Sequence, residues 1–314
     1  MAIETAYFHA SGVAYDDCAF TAQRFDADRG YRPGASECWV MQAARQPDNS
    51  ITVTNQYGTQ RWFTGLWRSL EGKTYVADGT GEAHQNPDVA ADDSPQRWTR
   101  HKLKSSLDGI WGLDDRNVFT WGATRDDRFL FYRWDGNAWT DMPSPGFDVR
   151  TVHGLDPRSL WAGGLGGALA HWDGSTWTRV SLPLADDLTS VFAAGPDEVY
   201  ATTAGGSLLE GSRSGWGRVA DGPGPGTPLF AVAKWGGELW VAGGLFGLLR
   251  RKGRTGELEV IKDKVLANGF DARKNLVICC FDRICGTEDG AKFKCQGGGV
   301  LLENRKDKEL LDFS

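Results

Sequence analysis

Five histidines, six cysteines and several acidic doublets are the residues of this sequence best equipped for chemistry. The histidines (His9, His84, His101, His153 and His171) lie apart, with no His-Glu-x-x-His or other close pair, so spacing supplies no metal centre. Cys279, Cys280, Cys285 and Cys295 form Cys-Cys-x4-Cys-x9-Cys, which is not the paired Cys-x2-4-Cys spacing of a zinc site. With Cys18 and Cys38 they read as buried thiols replacing Val or Ala on strands; a Cys18–Cys38 bridge is expected only of an exported protein. Asp114-Asp115, Asp126-Asp127 and Asp186-Asp187 fall in turn-like contexts, where carboxylates are normally solvated. Acid–base catalysis would require two of them within about 5–10 Å of each other. There is no Gly-x-Ser-x-Gly elbow and no Gly-x4-Gly-Lys-Ser/Thr phosphate loop. Gly163-Gly-Leu-Gly-Gly167 precedes a strand, so it lacks the helix N-terminus that would hold a phosphate. No catalytic residue, metal ligand or cofactor is assigned.

What stands out instead is composition. Glycine is 41 of 314 residues, about 13% against an ordinary 7% or so, and there are 14 tryptophans. That combination implies many tight turns between short strands. It belongs to a repeat. Asp108-Gly-Ile-Trp through Arg133-Trp-Asp-Gly-Asn-Ala-Trp139 aligns with Arg150-Thr-Val-His through His171-Trp-Asp-Gly-Ser-Thr-Trp177. Two further copies begin near Ser190 and Phe230. Trp98, Trp139, Trp177 and Trp216 are spaced by 41, 38 and 39 residues, and Phe119, Trp161, Tyr200 and Trp240 by 42, 39 and 40. Phe63 to Gly79 and Asn275 to Phe293 extend the series to six copies between about 62 and 296.

Each copy reads as four short strands, with Asp-Gly turns as the hairpin signal. Units of this kind recurring every 40 or so residues are expected to be β-propeller blades. The turn followed by aromatic-Ala-x-Gly and then Trp-Asp-Gly-x-x-Trp resembles the tandem propeller repeats of large bacterial proteins. The Gly-Gly after the second strand, and Trp139 before Met142-Pro143, are similar to kelch repeats, and Asp-box repeats are a more distant likeness. The resemblance implies an all-β propeller and leaves activity open, since related propellers serve as enzymes, lectins and scaffolds.

Seven four-stranded blades are expected, with six as the alternative. Repeats at about 62–103, 104–143, 144–183, 184–222, 223–263 and 264–296 supply six. A closing blade is expected from 36–60 together with 297–314, joining the two termini. Residues 1–35 read as an N-terminal extension to a single domain spanning 36–314.

The recurrent tryptophans read as inter-blade packing, whereas Trp121 and Trp235 break register and are candidate aromatic contacts. A binding face would gather the loops after the second and fourth strands of each blade. Those loops offer Arg125, Asp126, Arg128, Phe147, Asp186, Asp187, Leu245 and Phe246 as partner-binding candidates. The apolar pair Leu245-Phe246 in a glycine-rich loop points to a partner protein.

The net charge of −6 argues against nucleic acid, and no apolar run approaches the roughly 18 residues of a membrane span. The start lacks a basic, then apolar, leader, so a cytoplasmic protein is expected. The function expected is a non-enzymatic interaction module, in its sharpest form a cytoplasmic antagonist or immunity-type protein that binds a toxin or effector. A lectin or glycan-directed enzyme of the Asp-box or kelch-like kind is the alternative.

Overall fold

The computed structural model describes residues 3–26, 37–86, 98–251, 253 and 256–297. They form seven antiparallel four-stranded sheets, each contiguous in sequence. Blade 1 holds β1 (Ile3–Ala14), β2 (Asp17–Asp26), β3 (Glu37–Arg45) and β4 (Ile51–Thr59), and blade 2 holds β5 (Phe63–Arg68), β6 (Thr74–Asp78), β7 (Glu82–Gln85) and β8 (Thr99–Lys102). Blade 3 comprises β9 (Gly109–Asp114), β10 (Asn117–Ala123), β11 (Phe129–Trp134) and β12 (Trp139–Met142). Blade 4 is β13 (Val149–Asp156), β14 (Ser159–Gly164), β15 (Leu169–Trp172) and β16 (Trp177–Arg179). In blade 5 come β17 (Leu188–Gly195), β18 (Glu198–Thr203), β19 (Ser207–Ser212) and β20 (Gly215–Asp221). Blade 6 has β21 (Ala231–Trp235), β22 (Glu238–Ala242), β23 (Leu248–Arg251) and β24 (Leu258–Lys262). Blade 7 ends the series with β25 (Ala267–Ala272), β26 (Leu276–Cys280), β27 (Arg283–Thr287) and β28 (Phe293–Gly297). Among the described residues no helix is long and apolar enough to cross a membrane.

The six repeats coincide with blades 2 to 7. The seventh blade is built differently from expectation. Of the expected extension 1–35, the described residues 3–26 belong to the propeller, because β1 and β2 pair with each other and then with β3 and β4 to complete a sheet from the N-terminal segment alone. The long alternating run from Ile3 to Arg24 carries this hairpin, and its turn at Tyr15-Asp16 lacks the Asp-Gly signal of the repeats. The C-terminal half of the expected closing blade, 298–314, lies outside the described residues.

Burial falls from the second strand outward, as sheet packing requires. Second strands are covered on both faces by neighbouring blades, so Val118–Gly122 and Leu276–Cys280 are buried throughout. Fourth strands are edges facing solvent and read polar, as in Thr99–Lys102. Between third and fourth strands, Gly136 and Gly174 take φ of 98° and 100°, a region open to glycine. The aspartate before each locks the turn: Asp173 Oδ1 accepts the amides of Ser175 and Thr176 at 2.8 Å. Those amides hold the Asp173 carboxyl well below the usual range.

The recurrent tryptophans join blades. Trp177 packs edge-on against Phe131 of blade 3 at 5.3 Å, and Trp216 against Trp161 of blade 4 at 5.7 Å. Trp98 stacks on Tyr57 of blade 1 at 5.0 Å. Phe293, the substitute in blade 7, meets Trp240 of blade 6 at 6.0 Å. The innermost strands have an unpaired edge, and side chains of the preceding blade satisfy part of it. Thr151 Oγ1 and His153 Nδ1 accept the amides of Val191 and Ala193, each at 3.1 Å.

Blade 1 is held between blades 7 and 2 by a polar lock. Ser11 Oγ and the Gly12 amide donate to Asp271 Oδ2 at 2.6 and 3.0 Å. Arg273 donates to Asp271 Oδ1, to Ser11 Oγ and to the Arg68 carbonyl. The Tyr7 amide donates to the Phe281 carbonyl at 3.0 Å.

One pair of cysteines departs from the free-thiol reading. Cys285 and Cys295 are direct partners across β27 and β28, 4.0 Å apart at Cα, and form a disulfide. Spacing concealed this because a hairpin sets the distance. Cys18, Cys38, Cys279 and Cys280 are buried and free, as expected of thiols on inner strands. Cys18 and Cys38 stand out of register, opposite Ala43 and Gln23.

Candidate functional site

Turns after the second strands and connections after the fourth strands share one face of the ring, the upper face. The hydrogen bond from the Asp108 amide to the Trp121 carbonyl at 2.8 Å ties the start of β9 to that end of β10. The eight expected partner-binding residues all sit there, spread over blades 3 to 6, whereas Trp235 ends β21 at the opposite face. Arg125, Asp126 and Arg128 are exposed in the β10–β11 turn, where Arg128 Nε donates to Asp126 Oδ2 at 2.9 Å. Asp187 is exposed and accepts the Gly166 amide at 2.7 Å, which orders the next turn. Asp186 is half-buried against Gly205 and accepts from Thr203 Oγ1 at 3.4 Å. Leu245 is 80% exposed. Phe246 is half-buried on Gly224, where a Cβ would meet its ring at 2.4 Å.

Three of the aromatic candidates are packing residues. Phe147 is 7% exposed, lying beneath the Arg179 guanidinium, whose carbon is 4.1 Å from the ring centre. Trp121 is 4% exposed in β10, not in a loop, and stacks on Phe131 at 6.2 Å. Gly109 makes room for it, since a Cβ there would lie 2.3 Å from the indole. Trp235 is half-buried, with Nε1 donating to the Lys274 carbonyl of blade 7 at 3.4 Å. Its departure from register is explained by this inter-blade contact.

Of the expected contact residues only Trp121 lines the central channel, a cavity of about 710 Å³ enclosed by the innermost strands of all seven blades. Trp111, His153 and Phe192 form a belt of rings there on consecutive blades, with centroids 5.0 and 4.4 Å apart. Burial holds the His153 imidazole down at about 4, so it is neutral at pH 7 and its Nδ1 is free to accept the Ala193 amide. Burial does the same to His9, also at about 4. The shared repeat position of these three rings was readable; their facing a cavity was not, because closure of the ring creates it. Asp108, at the channel's upper mouth, gave no sequence signal.

Among the described residues, Asp78, Glu82 and His84 place potential metal-ligand atoms within 4.8 Å of one another. These groups satisfy each other. His84 Nε2 and Asp78 Oδ2 are 2.8 Å apart, and His84 Nδ1 lies 3.3 Å from the Tyr57 hydroxyl. Arg61 ion-pairs with Glu82 and stands 3.6 Å from Asp78. Burial opposes ionisation of Asp78, but hydrogen bonds from His84, the Glu82 amide and Thr80 bring it down to about 2. The cluster therefore joins blade 1 to blade 2 as a buried polar network.

No protein-family model matches the chain. It is 24% identical to the immune protein Tsi7 of Pseudomonas aeruginosa over 251 residues, 73% of this chain and 77% of that protein. By structure it is similar to the WD40 β-propeller domain of Doa1, with a TM-score of 0.69 and 10% identity over 94% of this chain and 93% of that one. The fold is a seven-bladed β-propeller. A second neighbour is YCF48 bound to D1 peptide, with a TM-score of 0.62 and 12% identity over 95% and 93% of the two chains. A third is a catalytically inactive virginiamycin B lyase from Staphylococcus aureus with quinupristin, with a TM-score of 0.61 and 13% identity over 93% and 94%.

Proposed function

We propose that this propeller is a protein-binding module of the immunity type, which occupies a toxin or effector through its upper face. The observation that carries the reading is the 24% identity to immune protein Tsi7 over 251 residues. The surface supports it. Leu245 and Leu165 are large apolar side chains exposed by 80% and 42% on turns of blades 6 and 4, with Asp187 and the 125–128 turn nearby in the ring order. Apolar points rimmed by charge are the usual make-up of a protein-binding patch. A ring of rigid blades also lowers the ordering cost of binding, because its short turns are already fixed.

The test is co-expression with the product of the adjacent reading frame in a cell that this product arrests. Restored growth and co-elution as one stoichiometric complex are expected. Continued arrest with separate elution sinks the reading, and saturable binding on a glycan array without any protein complex transfers it to glycan recognition.

A further inference from the structure

We infer that the upper mouth of the channel, at Asp108, receives a cationic side chain, an arginine or a lysine, of the protein held on the upper face. This rests on the protein-binding reading above and adds a specific anchor to it. Asp108 lines the channel immediately before β9 and is half-buried. Among the described residues its carboxylate accepts no hydrogen bond and joins no ion pair. The neighbouring cation, Arg150, is committed to Asp148 at 3.0 Å. Arg150 thus pairs with Asp148 alone, which leaves the Asp108 carboxylate as an unpaired negative charge at the mouth. Burial and the Asp148 carboxylate both raise the Asp108 pKa.

An unpartnered and partly desolvated carboxylate carries an uncompensated cost, which an incoming cation removes by ion pairing. The same site supplies the next contact. Trp111 lies three residues further along the inner strand, about 10 Å down the channel. Beside it, His153 and Phe192 continue the belt of rings at 5.0 and 4.4 Å. A partner segment that reaches past Asp108 meets π-faces suited to a second guanidinium. His153 adds no competing positive charge, being neutral above about pH 4.

The test titrates the full chain with acetyl-Gly-Arg-Gly-amide and with the same peptide carrying neutral citrulline, followed by tryptophan fluorescence. Asp108→Asn is compared with the wild type after circular dichroism shows both to be folded. Saturable binding of the arginine peptide is expected, at least fivefold weaker in Asp108→Asn and absent for citrulline. Equal binding by Asp108→Asn, or by citrulline, overturns the inference. Spermidine binding tenfold more tightly than the arginine peptide overturns it in favour of a free polyamine. An effector complex that forms equally well with Asp108→Asn overturns the anchor alone, whereas the absence of any protein complex overturns the protein-binding reading itself.

Discussion

Single residues set the tolerances of this ring. Gly109 gives Trp121 its place, and Gly109→Ala is expected to destabilise the chain by about 1–3 kcal/mol through overpacking, read as a lower urea midpoint. A midpoint equal to the wild type would mean that the indole has room to move. His153 and His9 contribute to the pH response. Each binds a proton only near pH 4 when folded, against 6.5 for the ordinary imidazole of an unfolded chain. Between those values the unfolded state holds more protons, so stability is full above about pH 6.5 and declines as pH falls to about 4. His153→Gln should flatten that decline, and an unchanged slope would remove His153 from the account. The cysteines give a chemical check. Denatured, unreduced protein should titrate four thiols, Cys18, Cys38, Cys279 and Cys280, and reduction should release the pair from Cys285–Cys295. Six thiols without reduction would contradict the pairing.

The scale of elements is where the sequence was most informative. The step of about 40 residues, carried by the second-strand aromatics Phe119, Trp161, Tyr200 and Trp240 and, in most copies, a fourth-strand aromatic, marks blades 2 to 7, and Trp177 and Trp216 make matching inter-blade contacts. Trp177→Ala should therefore cost about 2–3 kcal/mol, with faster hydrogen exchange in both β11 and β16. Exchange confined to β16 would argue against a shared interface. The N-terminal blade was less legible. It carries no Asp-Gly turn and no strand-four tryptophan, so its first hairpin looks like an extension and its partners are invisible in one dimension. The polar lock of Ser11, Arg68, Asp271 and Arg273 was equally hidden, since residues some 260 positions apart meet only when the ring closes. Arg273→Ala leaves Asp271 short of a partner and should open blade 1 selectively, with β1 and β2 exchanging faster than β13 and β14. Uniform acceleration across all blades would refute a local lock.

For the molecule as a whole, blades provide rigidity and the proposed recognition falls to the turns. The upper-face turns were readable as loops, and Leu245 as an exposed apolar residue, because a glycine-rich turn has nowhere to bury it. Phe147 and Trp121 misled because aromatic type says nothing of which neighbour covers a ring: Arg179 covers one and Gly109 admits the other. The central claim is that a partner protein is gripped by the upper face. Hydrogen exchange of the propeller, alone and in complex with the partner protein proposed above, tests this most directly. Protection is expected in the turns at 124–128, 165–167 and 244–247, together with the start of β9. Protection confined to the opposite turns, such as 114–117 and 156–159, would contradict it.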